Sequence, residues 1–256
     1  MQIQGLAYND KQCLDLYLTG KPAQPIVICL HGGGFVSGSR DDKRCRQSAA
    51  LLNEAGFNCA SVSYSLAQAA NRFAMWPQNL FDVADALIFL RDQASVYGFD
   101  FNRFGMLGFS AGCCLANLYM QGTTRLFQQF GYNKQLFRPA ALVGLYGPYD
   151  FSIRQPERQS ADAEINRFHS PRYWLRTNEG PPPPPVFHIQ GDADTIVWPD
   201  QHQVFESDCK ERNYEFRGLV AKGFGHTFSP RDSNSEGHDL DLGPEIVKFF
   251  TRHLAG

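Results

Sequence analysis

Apolar segments alternate with amphipathic segments along most of this chain, and the two kinds differ in their periodicity. Residues 14–18, LDLYL, carry apolar side chains at every second position, which predicts an early strand. Residues 26–31, IVICLH, are continuously apolar, which is typical of a central strand buried on both faces of a sheet. Further apolar runs predict strands at residues 59–64, 103–109, 140–147, 185–191 and 214–220.

The amphipathic segments between these runs have helical periodicity. The clearest is residues 76–98, where apolar residues recur at steps of three and four from Leu80 to Leu90. Pro77 near its start and Gly98 at its end are typical of helix termini. Shorter helices are predicted at residues 41–55 and 110–120, and helix-like segments follow the last two strands. This alternation predicts an α/β fold, with a mostly parallel central sheet of about eight strands and helices on both faces.

One segment interrupts the alternation. Residues 148–185 are polar and aromatic, have no core of their own and end in five consecutive prolines at 181–185. A connection of this length is typical of a functional lid or a disordered segment, and we interpret it as a small cap-like insertion over the sheet. The proline run is either a semi-rigid spacer before the next strand or a ligand for a partner. We therefore predict one domain over residues 1–256.

Composition and charge exclude several function classes. The chain has 256 residues, 43% hydrophobic and 20% charged, with a formal net charge of −2 and no basic stripe, so nothing favours binding to nucleic acid. No apolar run reaches the roughly 18 residues that span a membrane, and residues 1–10 do not resemble a secretory signal. The seven cysteines are odd in number and include no C-x-x-C pair. We expect reduced, mostly buried thiols, a cytoplasmic protein and no metal site.

The segment from Gly108 to Gly112, GFSAG, contains the first candidate for chemistry. It lies between a predicted strand and a predicted helix, so Ser110 would occupy a tight and strained turn in which only glycines fit on either side. Such a turn lifts the serine above the carboxyl edge of the sheet. It also places the backbone N–H of Ala111 at a helix N-terminus, where it can stabilise negative charge.

A serine hydroxyl needs a base, and the base needs an acid that orients it. His226 lies in a glycine-flanked loop after the last predicted strand, which makes it the preferred base. The segment GDADTIV offers two carboxylates, Asp192 and Asp194. We favour Asp194, because it has turned away from the strand, whereas Asp192 is better placed to accept hydrogen bonds from N–H groups of the turn.

The segment HGGGF begins at His31, directly after the apolar residues 26–30 of the predicted buried strand. Three successive glycines can leave backbone N–H groups free to point into a site, as an oxyanion intermediate of acyl transfer requires. A tight connection is the alternative interpretation. We expect the side chain of His31 to hold this loop through hydrogen bonds.

HGGGF, GFSAG, GDADTIV and the histidine of GH, in this order, resemble the α/β-hydrolase superfamily, and more narrowly its branch of hormone-sensitive-lipase-like and feruloyl or acetyl carbohydrate esterases. The resemblance covers nearly the whole chain and implies the α/β-hydrolase fold. It also implies a triad of Ser110, Asp194 and His226. The family often has glycine where Cys113 stands, and arginine where Ser65 stands.

Three backbone groups form the oxyanion hole by this resemblance, namely the N–H groups of Gly33, Gly34 and Ala111. The implied function is a serine carboxylic-ester hydrolase acting on short acyl esters, of acetyl or feruloyl type, of carbohydrates or small aryl or alkyl alcohols. Its only predicted partner is this small-molecule substrate, and it needs no cofactor.

Two alternatives remain: an arylformamidase or peptidase of the same fold, and a non-catalytic ligand-binding protein of that fold. Several aromatic side chains near the predicted site either stack on substrate or pack in the core, and the sequence favours neither. They are Phe35, Trp76, Phe109, Tyr173 and Trp174.

Overall fold

The computed structural model of the chain describes residues 1–153 and 160–254. Eight strands form its central sheet, and they are β1 (Gln2–Ala7), β2 (Cys13–Tyr17), β3 (Gln24–Leu30), β4 (Asn58–Val62), β5 (Phe99–Phe109), β6 (Ala141–Leu145), β7 (Val186–Gly191) and β8 (Phe216–Ala221). Their spatial order is β1-β2-β4-β3-β5-β6-β7-β8. The neighbouring strands from β4 to β8 in this order pair parallel. The β1–β2 and β2–β4 pairs are antiparallel. The predicted mostly parallel sheet is confirmed.

Helices cover both faces of this sheet. They are α1 (Lys43–Glu54), α2 (Gln78–Tyr97), α3 (Ala111–Gln129), α4 (Ala163–Phe168), α5 (Pro171–Arg176), α6 (Asp200–Glu211) and α7 (Gly243–Leu254). Apolar residues of α2, α3 and α6 belong to one core cluster, and those of α1 and α7 belong to the other. The predicted coverage of both faces is therefore confirmed.

Strand β3 explains how one apolar run serves both clusters. Successive side chains of a strand point to opposite faces, so Ile26 and Ile28 pack with α2 and α3, whereas Val27 and Cys29 pack with α1 and α7. Leu30, at the end of β3, is in register with Gly108 of the parallel strand β5. The loops that follow these two strands therefore leave the sheet side by side.

The predicted insertion at residues 148–185 includes residues 154–159, which lie outside the described residues. Its described part forms a short 3-10 turn at Phe151–Ile153 and the helices α4 and α5. Trp174 and Leu175 of α5 are buried in the same core cluster as α3. This part of the segment thus contributes to the core. That residues 1–256 form one domain stays a prediction.

The structure differs from the sequence-based expectation in three elements. Strand β1 was not predicted, because its side chains are mostly exposed and show no apolar run. Helix α3 continues nine residues beyond the predicted end at 120, and Leu126 and Phe127 anchor this extension in the core. After β8 the chain forms a two-stranded hairpin of β9 (Arg231–Ser233) and β10 (Asp239–Asp241) before α7 begins.

None of the seven cysteines, all of which lie in the described part of the chain, forms a disulfide, and six of them are buried, as expected for mostly buried thiols. Within residues 1–153 and 160–254, no helix combines the length and apolar character that a membrane span requires. The same described ranges contain no group of three or more His, Cys, Asp or Glu side chains placed to hold a metal ion.

Candidate active site

Ser110 occupies the turn between β5 and α3, with φ 49° and ψ −113°, a conformation that side-chain-bearing residues rarely adopt. The turn is pressed against the chain on both sides. A Cβ atom at Gly112 would lie 2.3 Å from the carbonyl oxygen of Leu30, and one at Gly108 would lie 2.6 Å from the backbone of Cys113. Both distances are far below van der Waals contact, so glycine is required at both positions.

Cys113, in the first turn of α3, fills a space left by two other glycines. Its Sγ atom lies 2.5 Å from where a Cβ atom of Gly144 would be, and 2.3 Å from that of Gly147. Burial raises the pKa of this thiol to about 12, so it is protonated at neutral pH. Cys113 is therefore a packing residue behind the serine turn.

Three predicted site residues form a continuous chain of hydrogen bonds. Ser110 Oγ lies 2.9 Å from His226 Nε2, and His226 Nδ1 lies 2.7 Å from Asp194 Oδ2. An ionised carboxylate only accepts hydrogen bonds, so Nδ1 carries the proton of the neutral imidazole and Nε2 is left as an acceptor. Ser110 then donates its hydroxyl hydrogen to Nε2. This arrangement can move a proton from the serine to the histidine.

The carboxylate of Asp194 is buried and accepts four hydrogen bonds. Oδ1 accepts from the backbone N–H groups of Ile196 at 2.8 Å and Val197 at 2.9 Å. Oδ2 accepts from Gln190 Nε2 at 2.9 Å as well as from His226. Burial by itself would raise the pKa of Asp194, but the hydrogen bonds from His226, Val197 and Ile196 outweigh it and hold the pKa below its usual value. Asp194 is thus ionised at neutral pH.

Asp192, the other carboxylate of this turn, does not contact His226. It is exposed and accepts a hydrogen bond from the backbone N–H of Gly223 at 2.7 Å. This is the turn-stabilising contact that the sequence suggested for it. The structure therefore brings Asp194, and not Asp192, to the histidine.

Tyr146, which sequence reasoning missed, packs edge-on against His226 with ring centroids 4.8 Å apart. Its φ of 40° turns the chain sharply at the end of β6, and its hydroxyl donates to the carbonyl oxygen of Phe228 at 2.8 Å. The position directly after a buried strand was the available signal, because that strand ends at the same edge as β5.

The glycine loop after β3 lies next to Ser110. A Cβ atom at Gly32 would lie 3.3 Å from the Cβ atom of Ser110. Gly33 and Gly34 have φ values of 121° and 62°, and the carbonyl oxygen of Gly33 accepts hydrogen bonds from the backbone N–H groups of Val36 and Ser37, each at 3.1 Å. Within residues 1–153 and 160–254, the N–H groups of Gly33, Gly34 and Ala111 donate no hydrogen bond. They are unpaired donors in the residues that directly follow Gly32 and Ser110.

His31 is fully buried at the start of this loop. Its Nδ1 lies 2.7 Å from the carbonyl oxygen of Gly32, and its ring stacks on Tyr64 at 4.2 Å. The hydroxyl of Tyr64 donates to the carbonyl oxygen of His31 at 2.7 Å. Burial lowers the pKa of His31 to about 4, so the ring is neutral and its Nδ1–H can donate to Gly32. The side chain holds the loop, as the sequence analysis expects.

The aromatic side chains near the site divide into two groups. Phe35, Phe109 and Trp174 are at most 2% exposed and pack in the core. Trp76 and Tyr173 are half-buried, and the ring of Trp76 lies 4.5 Å from that of His169. The packing interpretation therefore holds for the first three.

Several of the known proteins that resemble this chain are named as esterases or ester hydrolases. Esterase LipC of Mycobacterium tuberculosis is 29% identical over 255 residues, which cover 88% of this chain and 59% of LipC. Ethyl acetate hydrolase of Pseudomonas putida is 33% identical over 137 residues, covering 52% of this chain and 38% of that protein. The chain thus spans about three fifths or less of the length of these curated relatives.

The fold is shared with a solved structure described as a truncated form of carbohydrate esterase from gut microbiota. The TM-score is 0.79, the identity is 19%, and the alignment covers 100% of this chain and 97% of the other. The α/β-hydrolase fold is therefore confirmed. The BD-FAE family model matches residues 14–208, a range that includes the glycine loop, Ser110 and Asp194. Since this match covers well over half of the sequence, the chain belongs to the BD-FAE family.

Proposed function

We propose that this chain is a serine carboxylic-ester hydrolase that cleaves short acyl esters through an acyl-enzyme. The observation that carries the proposal is the hydrogen-bond chain from Ser110 Oγ to His226 Nε2 at 2.9 Å and from His226 Nδ1 to Asp194 Oδ2 at 2.7 Å. This series of hydrogen bonds begins at Ser110, which lies on a strained turn at the carboxyl edge of the sheet. Such a turn and such a chain together favour nucleophilic catalysis over a purely structural role.

In the first half of the reaction, Ser110 Oγ attacks the ester carbonyl carbon while its proton passes to His226 Nε2. The carbonyl oxygen becomes an oxyanion, which accepts hydrogen bonds from the N–H groups of Gly33, Gly34 and Ala111. Asp194 stabilises the imidazolium that forms. The intermediate then expels the alcohol, which takes the proton from Nε2, and the acyl group stays on Ser110.

In the second half, a water molecule replaces the alcohol. His226 Nε2 accepts a proton from the water as its oxygen attacks the acyl carbon, and the same three N–H groups again bind the oxyanion. Collapse of this intermediate breaks the bond to Ser110 Oγ, which recovers its proton from Nε2. The acid is released and the resting hydrogen-bond chain is restored.

The substrate class proposed is an acetyl or feruloyl ester of a carbohydrate or of a small aryl or alkyl alcohol. The curated relatives named esterase and ethyl acetate hydrolase support carboxylic ester hydrolysis and a small acyl group. The structural neighbour named carbohydrate esterase is compatible with a sugar as the alcohol.

Initial rates of 4-nitrophenyl acetate hydrolysis test this proposal. Ser110→Ala removes the nucleophile, so we expect kcat to fall by about 10³- to 10⁶-fold. Ser48→Ala is the matched control, because Ser48 is also buried, in α1, and its hydroxyl has no hydrogen-bond partner among the described residues. A fluorophosphonate probe should label the unmodified protein and Ser48→Ala, but not Ser110→Ala. Retained hydrolysis in Ser110→Ala would contradict the role of this serine.

The alternatives are separated by a substrate panel of an acetylated sugar, a feruloyl ester, an aryl formamide and a peptide. The proposal expects the two esters to have the highest kcat/KM. A preference for the formamide or peptide would indicate the other enzyme classes. Background rates on every substrate, with no labelling of Ser110, would favour a ligand-binding protein.

A further inference from the structure

We propose that Gln190 is a positioning residue for catalysis, which fixes the Asp194 carboxylate and limits how strongly that carboxylate attracts the proton of His226. This inference rests on the proposed function, since it assigns a task within the same hydrogen-bond chain. Gln190 is the penultimate residue of β7, and it is 1% exposed, so it cannot contact bulk solvent. Its amide reaches Asp194, four residues further along the chain, across the turn.

The amide nitrogen of Gln190 lies among acceptors. Nε2 is 2.9 Å from Asp194 Oδ2 and 2.9 Å from the carbonyl oxygen of Val197, and a third acceptor, the carbonyl oxygen of Gly191, is 3.4 Å away. An amide turned by 180° would place its oxygen against these three acceptors. The NH₂ group is therefore the one that faces Asp194.

The same amide leaves its oxygen unsatisfied. Gln190 Oε1 is buried and has no hydrogen-bond partner within residues 1–153 and 160–254. A buried acceptor without a partner is costly, and an apolar side chain would avoid that cost in a strand whose other residues are all buried. The two donated hydrogen bonds are the evident compensation, and one of them ends on the oxygen that holds His226.

This shared oxygen links Gln190 to catalysis. Asp194 Oδ2 accepts hydrogen bonds from both Gln190 Nε2 and His226 Nδ1. Each further donor on a carboxylate makes it less basic. Without the amide, the uncompensated charge would stabilise the imidazolium form of His226 more strongly, and His226 would hold its proton to higher pH. The neutral form, which is the general base, would then be available only at higher pH.

Other groups around the pair leave this argument intact. The ring against His226 is that of Tyr146, and burial raises the pKa of its hydroxyl, so it is neutral throughout the working range. Behind Tyr146 lie Arg44 and Asp42, which pair with each other at 2.8 Å. Among the residues that the structure describes, the carboxylate of Asp194 accepts hydrogen bonds only from His226, Gln190 and the backbone N–H groups of its turn. Gln190 is thus the neighbour to change.

The pH profile of kcat/KM tests the inference with Gln190→Met, which keeps the volume and removes both donors. We expect its acid limb to move to higher pH by about half a unit to one unit, and kcat at the optimum to fall roughly tenfold. Packing damage alone would lower the rate at every pH and leave the limb in place, which would overturn the inference.

Gln201→Met is the matched control. Gln201 is also 1% exposed, and its amide holds the backbone of Tyr149 and Asp150 with bonds of 2.7 to 2.8 Å, with no contact to Asp194. Gln201→Met should therefore lower the free energy of unfolding by about as much as Gln190→Met does, as measured by urea unfolding. Its acid limb should stay where it is in the unmodified protein. An equal shift in both variants would overturn the assignment to Gln190.

A titration of His226 followed by nuclear magnetic resonance keeps this inference separate from the proposed function. The assigned imidazole signals, identified by their loss in His226→Asn, report the protonation of the ring without any turnover. A midpoint that rises in Gln190→Met supports the inference even if no ester is hydrolysed. An unmoved midpoint overturns it even if the protein proves to be an active esterase.

Discussion

Two regions near Ser110, the Asp194 carboxylate and the backbone N–H groups of the glycine loop and Ala111, differ in whether their hydrogen-bonding groups are paired. On one side, all the acceptor atoms of the Asp194 carboxylate are engaged, with four donors on two oxygens. On the other side, the N–H groups of Gly33, Gly34 and Ala111 donate to no residue in the described ranges. The hydrogen-bonding capacity of the Asp194 carboxylate is therefore fully used, whereas the three N–H groups are unpaired, although the proposed function assigns both to the same serine.

This difference follows the timing of the charges in the proposed reaction. Asp194 is negative at all times, and a buried permanent charge needs its donors in the resting protein. The oxyanion exists only during the reaction, so its donors are most effective when they are already oriented and still unpaired. The proposed reaction thus accounts for paired donors around the permanent charge and unpaired donors where the transient charge would form.

Among changes to these two groups of atoms, the largest effect is expected from removing the permanent charge. Asp194→Asn keeps the shape of the side chain but places a neutral amide opposite His226, which then lacks the partner that fixes its tautomer. We expect kcat for 4-nitrophenyl acetate to fall about 10³- to 10⁴-fold, with folding retained by circular dichroism. Asp192→Asn, on the same turn, is the control and should keep most of the activity. Similar losses in the two variants would contradict the assignment of the acid.

A smaller loss is expected when the unpaired N–H groups are disturbed. A Cβ atom at Gly33, whose φ is 121°, would lie 2.0 Å from the carbonyl oxygen of Ser37, so Gly33→Ala must displace the loop. We expect about 10²- to 10³-fold lower kcat, the cost of losing an oxyanion donor. Gly131→Ala is the control, because Gly131 also has a positive φ of 81° but open space at its Cβ position. If Gly33→Ala kept nearly full activity, the oxyanion donors would have to lie elsewhere.

The smallest effect concerns stability rather than rate. The pKa of Asp194 is lower in the folded protein than in the unfolded chain, so its ionised form stabilises the fold above about pH 4, and this contribution is lost as pH falls through the lower native pKa. The free energy of unfolding of the unmodified protein should exceed that of Asp194→Asn by more at pH 7 than at pH 3. Urea unfolding at both values measures it. Ser110→Ala, which changes no group titrating in this range, should show a constant difference, and constancy in Asp194→Asn would contradict the prediction.

Most of the sheet could be predicted from the sequence because its strands are buried on both faces. Continuous apolar runs predict β3 and β5, and the helical spacing before Gly98 predicts α2, which ends there in a left-handed residue. The sequence pattern did not predict strand β1 and the β9–β10 hairpin, because their side chains are mostly exposed. Their pairing depends on neighbours that local periodicity does not reveal.

The residues of the candidate site also fall into those that the sequence predicts and those that it does not. Ser110, His226 and Asp194 stand in short motifs whose order along the chain is informative, and the structure brings them within hydrogen-bond distance. Gln190 and Tyr146 stand in no motif. Their placement results from the turn geometry after β7 and β6, which is set by tertiary structure. His169, which is buried among the rings of Phe35, Phe73 and Phe151, is likewise placed by tertiary structure.

The contact of Cys113 with Gly144 and Gly147 has a consequence for how this sequence can diverge. The thiol and the two missing side chains share one volume, so the three positions cannot vary independently. An alanine at 144 or 147 is admissible only in a chain whose residue 113 has already become smaller, such as glycine. The reverse order passes through an overpacked intermediate. Substitutions at these three positions can therefore accumulate in only one order. The size of residue 113, behind the serine turn, determines whether residues 144 and 147 can carry a side chain.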